Sequence, residues 1–479
     1  MKVKSLKLNA FLNLVKQACS ILFPLITFPY VSRVLGSNGF GQYNFSFTVA
    51  DYFIIFAALG ISSYAIREGA KYRNNRDITE KFCREVFTIN CISTVIAVIA
   101  LAFVLLLFRS LDNYRMIIII ISSQMILATV GADWINSIYE DYIYITLRYI
   151  VIQVISLILI FVYVRDSSDI AKYAVITTFA SAGGNLLNIL YVRKYVKLKF
   201  VLSGDLLRHL KPVLILFANT LAISIYVNAD ITMLKFYQPD SVVGLYSLAS
   251  RIYNITKRLI SAMIIVTTAR LAFYSKNDNA AYKTTAKRTF NALIFILLPC
   301  MAGLITMSRQ IVLLVGGPEY IDAWLPLCIL SVAMLFALAS SFYSNCVLII
   351  FDCDRALLTA TSVSALVNVG LNLIILPWIG MTGAAITTLI AEAINFGVQL
   401  FYSKKIIGDK LLEKEDLIKT IIGTAIVLVI CLIVNHYTGI KILGLLIAIP
   451  LSCICYFGFS LACHNTITEF LLSFRKKHQ

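Results

Sequence analysis

The spacing of the apolar blocks limits this chain more than anything else in it. Stretches 86–108, 289–308 and 323–351 contain no charged residue, and 420–440 and 442–468 are nearly as apolar. Each is long enough, as a helix, to cross about 30 Å of hydrocarbon. Stretch 356–391 is longer than one crossing needs, and Pro377-Trp378-Ile379-Gly380 interrupts it as a tight turn would. The spans read as 9–31, 40–66, 86–108, 115–137, 143–164, 171–192, 212–236, 242–270, 289–315, 322–350, 356–376, 382–402, 418–436 and 441–463. The chain of 479 residues is 59% hydrophobic and 14% charged, whereas a soluble domain carries about a quarter charged residues. The expected fold is therefore an all-α integral membrane protein with about fourteen transmembrane helices. The first block, after Lys2, Lys4 and Lys7, is too long for the apolar core of a signal peptide, and no cleavage site follows it.

The formal net charge of +17 would suggest nucleic acid in a soluble protein. Here its location decides otherwise. The termini and the even-numbered connections hold Lys2, Lys4, Lys7, Arg67, Lys71, Arg73, Arg76, Lys81, Arg84, Arg193, Lys194, Lys197 and Lys199. They also hold Arg208, Lys211, Lys276, Lys283, Lys287, Arg288, Arg355, Lys404, Lys405, Lys410, Lys414, Lys419, Arg475, Lys476 and Lys477. The opposite connections hold Arg33, Arg109 and Arg165, with Arg115 and Lys441 at helix edges. Excess Lys and Arg mark the cytoplasmic side, so both termini are expected there and a nucleic-acid partner is not.

Nothing in the chain has the spacing of a catalytic or metal site. Eleven cysteines are scattered mostly within spans, and the four histidines are dispersed. No nucleotide-binding signature appears, so no cofactor is expected. The outer loops, each under about ten residues, leave no room for an acceptor-binding domain, and cytoplasmic loops near twenty residues are too short for a catalytic one. The chain reads as a non-enzyme whose function lies inside the helix bundle.

A faint repeat organises that bundle. Aligning Gly41-Gln42-Tyr43 with Gly244-Leu245-Tyr246 also aligns Arg67 with Arg270 without a gap. An even number of spans separates the copies, which gives them the same orientation. Two parallel six-helix lobes are a known transporter plan. The expected divisions are an N-terminal lobe (1–192), a basic linker (193–211), a C-terminal lobe (212–402), and a segment with the last two helices and the tail (403–479).

The charges left within the spans carry the chemistry. A charge at the bilayer centre costs roughly 2.5–3.5 kcal/mol on insertion scales and is a functional hypothesis by default. Lys172, Lys235, Arg309, Arg148, Asp133 and Arg270 lie near helix ends, where snorkelling is the simpler reading. Lys16 lies about two turns into the first span and fits either reading. Asp51 and Glu392 are deep, and Arg251, Asn254 and Arg258 share one helical face with Lys257 beside it. That face must line a wet cavity or meet carboxylates, with Asp230 a candidate partner. Several deep cations suit an anionic solute, because a guanidinium grips phosphate oxygens bidentately. Asp51, Asp230 or Glu392 are candidates to carry a proton or sodium ion, or to form ion pairs.

These residues include a family pattern. The stretch 28–36 (Phe-Pro-Tyr-Val-Ser-Arg-Val-Leu-Gly), then Gly39-Phe40-Gly41-Gln42-Tyr43-Asn44-Phe45 and 59–68 (Leu-Gly-Ile-Ser-Ser-Tyr-Ala-Ile-Arg-Glu), resembles the start of Wzx-type oligosaccharide flippases. These belong to the polysaccharide transporter family of the MOP superfamily, which also holds MATE exporters and the peptidoglycan lipid flippase. Asn228-Ala229-Asp230, Val243-Gly244-Leu245-Tyr246 with Arg251, and Gly383-Ala384-Ala385 before Glu392 agree. The resemblance implies a MATE-like bundle of two lobes with alternating access, in the bacterial cytoplasmic (inner) membrane. It implies a substrate of undecaprenyl diphosphate and a short oligosaccharide, moved outward for O-antigen, capsule or exopolysaccharide assembly, with polysaccharide polymerase machinery as a further partner. Arg33, Asp230, Arg251 and Glu392 carry over by resemblance. The candidates for the diphosphate are thus Arg251, Arg258, Lys257, Arg33 and Lys16. A MATE-like exporter of small molecules and a membrane-embedded polymerase or glycosyltransferase are the alternatives. The paired arginines argue against the first, and the short loops against the second.

Overall fold

The computed structural model describes residues 6–202, 205–408 and 411–468. Lys2, Lys4, Lys410 and 475–477, part of the charge asymmetry, lie outside the described residues. Among the described residues every regular element is helical and there is no strand. Twelve of the helices are long and apolar enough to cross a membrane. Their unpacked faces are apolar, with Leu106, Leu366, Ile374 and Leu446 exposed, as suits helices solvated by lipid.

The chain divides into two compact units. The first comprises residues 1–235 and 239–244. It holds α1 (Leu6–Ala58), α2 (Ile61–Tyr72), α3 (Arg76–Leu107), α4 (Arg115–Gly131), α5 (Asp133–Ile138), α6 (Tyr142–Tyr163), α7 (Ile170–Thr178), α8 (Gly184–Tyr191) and most of α9 (Leu206–Tyr237). It also holds the first residues of α10 (Asp240–Asn277). The second unit takes the rest of α10, then α11 (Asn279–Thr306), α12 (Ser308–Gly316), α13 (Trp324–Tyr343), α14 (Asp354–Ile407), α15 (Lys414–Thr438) and α16 (Ile442–Ala462).

α1 and α14 are the longest described helices, at 53 and 54 residues, because each doubles back at one glycine. In α1 the backbone leaves helical geometry at Gly36 (φ 67°), and in α14 at Gly380 (φ 59°). Positive φ is what glycine adopts without a Cβ clash. Phe28 and Phe40 rings lie 5.5 Å apart across the first break, where a continuous helix would separate the residues by about 18 Å. Across the second, Ser364 Oγ donates to the Ala391 carbonyl at 2.9 Å, where a continuous helix would separate them by about 40 Å. The turn expected at 377–380 is thus a helical hairpin. Trp378 at its tip is 87% exposed, as an interfacial aromatic would be.

Smaller breaks in the first unit are satisfied by side chains, because a backbone carbonyl freed in a membrane has no water to accept from. Below the break at Leu59 and Gly60, Asn90 and Ser93 of α3 both donate to the Ala57 carbonyl, at 3.0 and 2.7 Å. At the left-handed Ala132, Asn188 donates to the Gly131 carbonyl at 2.6 Å, and Asn136 holds Asn188 at 2.6 Å. In the second unit Pro299 lacks an N–H for the Phe295 carbonyl, and the Tyr456 hydroxyl of α16 donates to it at 2.7 Å.

The repeat has a physical counterpart. A Cβ on Gly41 would lie 1.8 Å from the Asp240 carbonyl oxygen, and one on Gly244 would lie 1.9 Å from that of Ser37. The alignment that matches Gly41 to Gly244 also matches Ser37 to Asp240, so each copy offers its carbonyl to the other's glycine. Such reciprocity is what a two-fold relation between contacting segments produces.

α9 packs within the first unit, against α1 and α2. Phe217 meets Phe56 with ring centroids 5.5 Å apart, and the break at Gly60 sits on Leu216. The basic segment 193–211 therefore lies inside this unit.

Candidate functional site

The sequence-predicted site residues fall into two sets, one in each unit. In the first unit, Asp51 is half-buried on the second arm of α1 and faces α9. Its Oδ2 accepts from Asn228 Nδ2 at 3.0 Å and from Ser224 Oγ at 3.1 Å. One position on, the Tyr52 hydroxyl is 3.1 Å from Thr232 Oγ1. Asp230 is buried on the same helix and within electrostatic reach of Tyr52. Ser224, Asn228 and Thr232 recur at i, i+4 and i+8, so one polar stripe of α9 meets Asp51 and Tyr52. Lys16 is half-buried on the first arm of α1, with its ammonium 5.6 Å from the Tyr149 ring centroid. Arg33 is exposed just before the Gly36 break.

In the second unit, Glu392 on the second arm of α14 is buried and meets two residues of α10. Lys257 Nζ is 3.7 Å from Glu392 Oε1, and the Tyr253 hydroxyl donates to the same oxygen at 3.3 Å. Lys257 also donates to the Tyr253 hydroxyl at 3.2 Å and lies over its ring at 4.7 Å. Arg251 and Arg258 are exposed on α10, whose buried side carries Ile252, Tyr253, Ile260 and Ile264. The buried polar ladder behind Glu392 is structural. Thr387 donates to Asn372 Oδ1 at 2.5 Å, and Asn372 to Asn368 Oδ1 at 3.3 Å, knitting the arms of α14.

Four charges expected to snorkel, Arg148, Asp133, Lys172 and Lys235, are instead paired. Arg148 is buried, and its Nη2 donates to both oxygens of Asp133 at 2.6 and 2.5 Å. The break at Ala132 turns Asp133 toward α6, which hydropathy alone does not reveal. Lys172 bonds Asp169 at 2.7 Å, and that bond, with amides from Arg165 and Asp166, holds the Asp169 carboxyl at about 2. Lys235 bonds Asp240 at 2.8 Å, whose oxygens also accept from the Tyr114 hydroxyl.

Sequence reasoning also missed a polar cluster in which the buried Tyr64, Glu85 and His209 meet the exposed Arg208. His209 Nδ1 is 2.6 Å from the Tyr64 hydroxyl, and Nε2 is 2.9 Å from Glu85 Oε2. These residues sit on α2, α3 and α9, so no spacing along the chain announces them. Among the described residues no group of three or more His, Cys, Asp or Glu side chains could hold a metal ion.

Carboxylates held between apolar helices, as Asp51 and Glu392 are, fit the class of multi-pass transporters. The comparisons make this specific. The polysaccharide biosynthesis protein family matches residues 6–269, and the chain belongs to that family. It is 25% identical over 410 residues to a protein of Escherichia coli (strain K12) named as an O-antigen transporter, covering 83% of this chain and 96% of that one. A protein of Haloferax volcanii named as a low-salt glycan biosynthesis flippase is 22% identical over 182 residues, 38% of each chain. Among solved structures, the lipid II flippase MurJ in an inward closed conformation superimposes with a TM-score of 0.75. It covers 96% of this chain and 99% of its own, at 17% identity. An inward-facing multidrug resistance MATE family transporter of the MOP superfamily gives 0.64 at 17% identity, over 82% of this chain and 98% of its own. These likenesses show that the chain shares its fold with these two transporters.

Proposed function

We propose that this chain is a Wzx-type flippase. It moves undecaprenyl diphosphate-linked oligosaccharide units from the cytoplasmic to the outer leaflet of the bacterial inner membrane, where it is a multi-pass protein. One observation carries the reading. Arg251 and Arg258 are exposed on a helix whose opposite side is packed with apolar residues. Arg251 stands about 17 Å along α10 from its first residue, near the middle of a bilayer core. A guanidinium facing hydrocarbon at that depth costs roughly 2.5–3.5 kcal/mol, so this face meets water and an anionic solute. A diphosphate offers the paired oxygens that a guanidinium fork binds. The family and the names of the relatives support the same substrate class.

The helical hairpins at Gly36 and Gly380 support fourteen crossings, and the distribution of Lys and Arg supports cytoplasmic termini. A MATE-like exporter shares the fold, but such exporters usually handle cations, which the Arg251 face disfavours. A polymerase acting at the outer face is the step that consumes the product. Deleting the gene tests the reading in cells. Lipid-linked repeat units are expected to accumulate at the cytoplasmic face while surface polysaccharide disappears. Normal surface polymer would overturn the proposal.

A further inference from the structure

The segment that joins α8 to α9 carries Arg193, Lys194, Lys197 and Lys199 with no acid among them. A short turn at 192–194 is followed by extended chain to Leu202. Val192, Tyr195 and Val196 are buried in the core that α2, α3 and α5 share, and Leu198 packs against it. The four cations are exposed. Lys194 lies over the rings of Tyr191 and Tyr195, at 5.4 and 5.5 Å. Arg193, Lys197 and Lys199 form no ion pair with a described residue. The acids nearby are already engaged, Asp205 with Lys81, Glu80 with Arg84 and Glu85 with Arg208. The charge of this surface is therefore not cancelled by the residues around it.

Two hydrogen bonds set the depth of the segment. Arg84 Nε donates to the Lys197 carbonyl at 3.0 Å, and the Val201 N–H donates to Thr88 Oγ1 at 3.0 Å. Both anchors are on α3, so between them the segment descends about 6 Å along that helix. Arg84 is the last cation before the charge-free stretch 86–108, and Thr88 lies inside that stretch. The segment thus crosses the level at which α3 passes from headgroups into hydrocarbon. Its exposed side chains change character there. Lys197 and Lys199 give way to Phe200, 55% exposed, and Leu202, 77% exposed. Tyr139 stacks on Tyr195 and Tyr144 on Tyr191 at the start of the segment, as aromatics gather at a membrane interface.

We propose that residues 193–202 form a binding site for anionic phospholipid of the cytoplasmic leaflet, the cations meeting the phosphodiester and Phe200 and Leu202 meeting the acyl chains. Lys and Arg clustered at the cytoplasmic end of a span attract anionic lipid, worth roughly a fivefold gain in affinity per charge. Apolar side chains beside them favour a lipid over a soluble anion, because only a lipid covers both. The site rests on the cytoplasmic orientation drawn from the distribution of Lys and Arg, and it does not require flippase activity.

The test is native mass spectrometry of the purified full-length protein, titrated in detergent with phosphatidylglycerol or with phosphatidylcholine of the same acyl chains. Wild type should bind phosphatidylglycerol at least about tenfold more tightly. Arg193→Gln, Lys197→Gln and Lys199→Gln together should remove most of that preference. Lys276→Gln, Lys283→Gln and Arg355→Gln together take the same charge from exposed positions in other connections and should leave it in place. Phe200→Gln with Leu202→Gln should weaken both lipids alike, by about tenfold. Every replaced side chain is exposed, so each variant should unfold at the wild-type temperature. Equal binding of the two lipids by wild type would overturn the proposal. So would an equal loss in the two triple variants, which would reflect net charge and not a site. Wild-type binding by the Phe200 and Leu202 variant would also overturn it and turn this surface towards an acidic protein partner.

Discussion

Asp51 and Glu392 are both carboxylates deep in apolar helices, yet their surroundings differ in kind. Glu392 has a lysine ammonium at 3.7 Å and a tyrosine hydroxyl, so its charge is balanced within the second unit. Asp51 is met by an amide and a hydroxyl, neutral groups that orient it without cancelling its charge. A balanced carboxylate is a fixture of the fold, and removing one partner strands the other. A carboxylate held only by dipoles can still attract a proton or sodium ion. The comparison separates candidates that sequence placed together. Asp51 is the residue we propose for ion coupling. Glu392 becomes the anchor of Lys257, and the exposed Arg251 and Arg258 are the α10 cations we propose for the substrate.

The largest expected effect is therefore structural and belongs to Glu392. Glu392→Ala should destabilise the protein by about 3 kcal/mol, read by thermal unfolding in detergent, because Lys257 is left without its counter-charge. A loss below about 1 kcal/mol would dissolve the contrast. Asp51→Asn keeps the shape and can still bond Ser224 and Asn228. Its stability should stay within about 1 kcal/mol of wild type. Transport driven by an ion gradient should fall about tenfold, towards the gradient-free rate. Unchanged gradient dependence would remove Asp51 from coupling. The smallest effect is expected from replacing both partners, Lys257→Met with Glu392→Met. Apolar groups of similar volume should restore stability to within about 1 kcal/mol of wild type. A double variant as unstable as Glu392→Ala would mean that Tyr253, not Lys257, is the partner that matters.

Much of this fold was legible in the sequence, for a physical reason. Crossing a bilayer needs only length and apolarity, both of which sum along the chain, so the blocks and the Pro377–Gly380 turn could be read directly. The Gly41 and Gly244 match was legible too, because close backbone approach tolerates no Cβ at either position. Pairing was not. Whether Arg148 snorkels or reaches Asp133 depends on the break at Ala132, and a window of hydropathy does not sense helix rotation. Glu85 stood one residue before an apolar block and His209 sat in the basic linker, so each read as solvated until three helices brought them together. The sequence groups the deep cations of this helix together, but only geometry divides Lys257, engaged with Glu392, from the exposed Arg251 and Arg258.

The most direct measurement uses the purified chain in liposomes that carry a fluorescent oligosaccharide on undecaprenyl diphosphate. A membrane-impermeant quencher then reports how fast label changes leaflet. Wild type should move the label well above the protein-free rate, and Arg251→Ala, inserted and folded, should lose at least about tenfold of that activity. Wild-type flipping by Arg251→Ala, or no flipping by wild type, would contradict the assignment of this face to the lipid diphosphate.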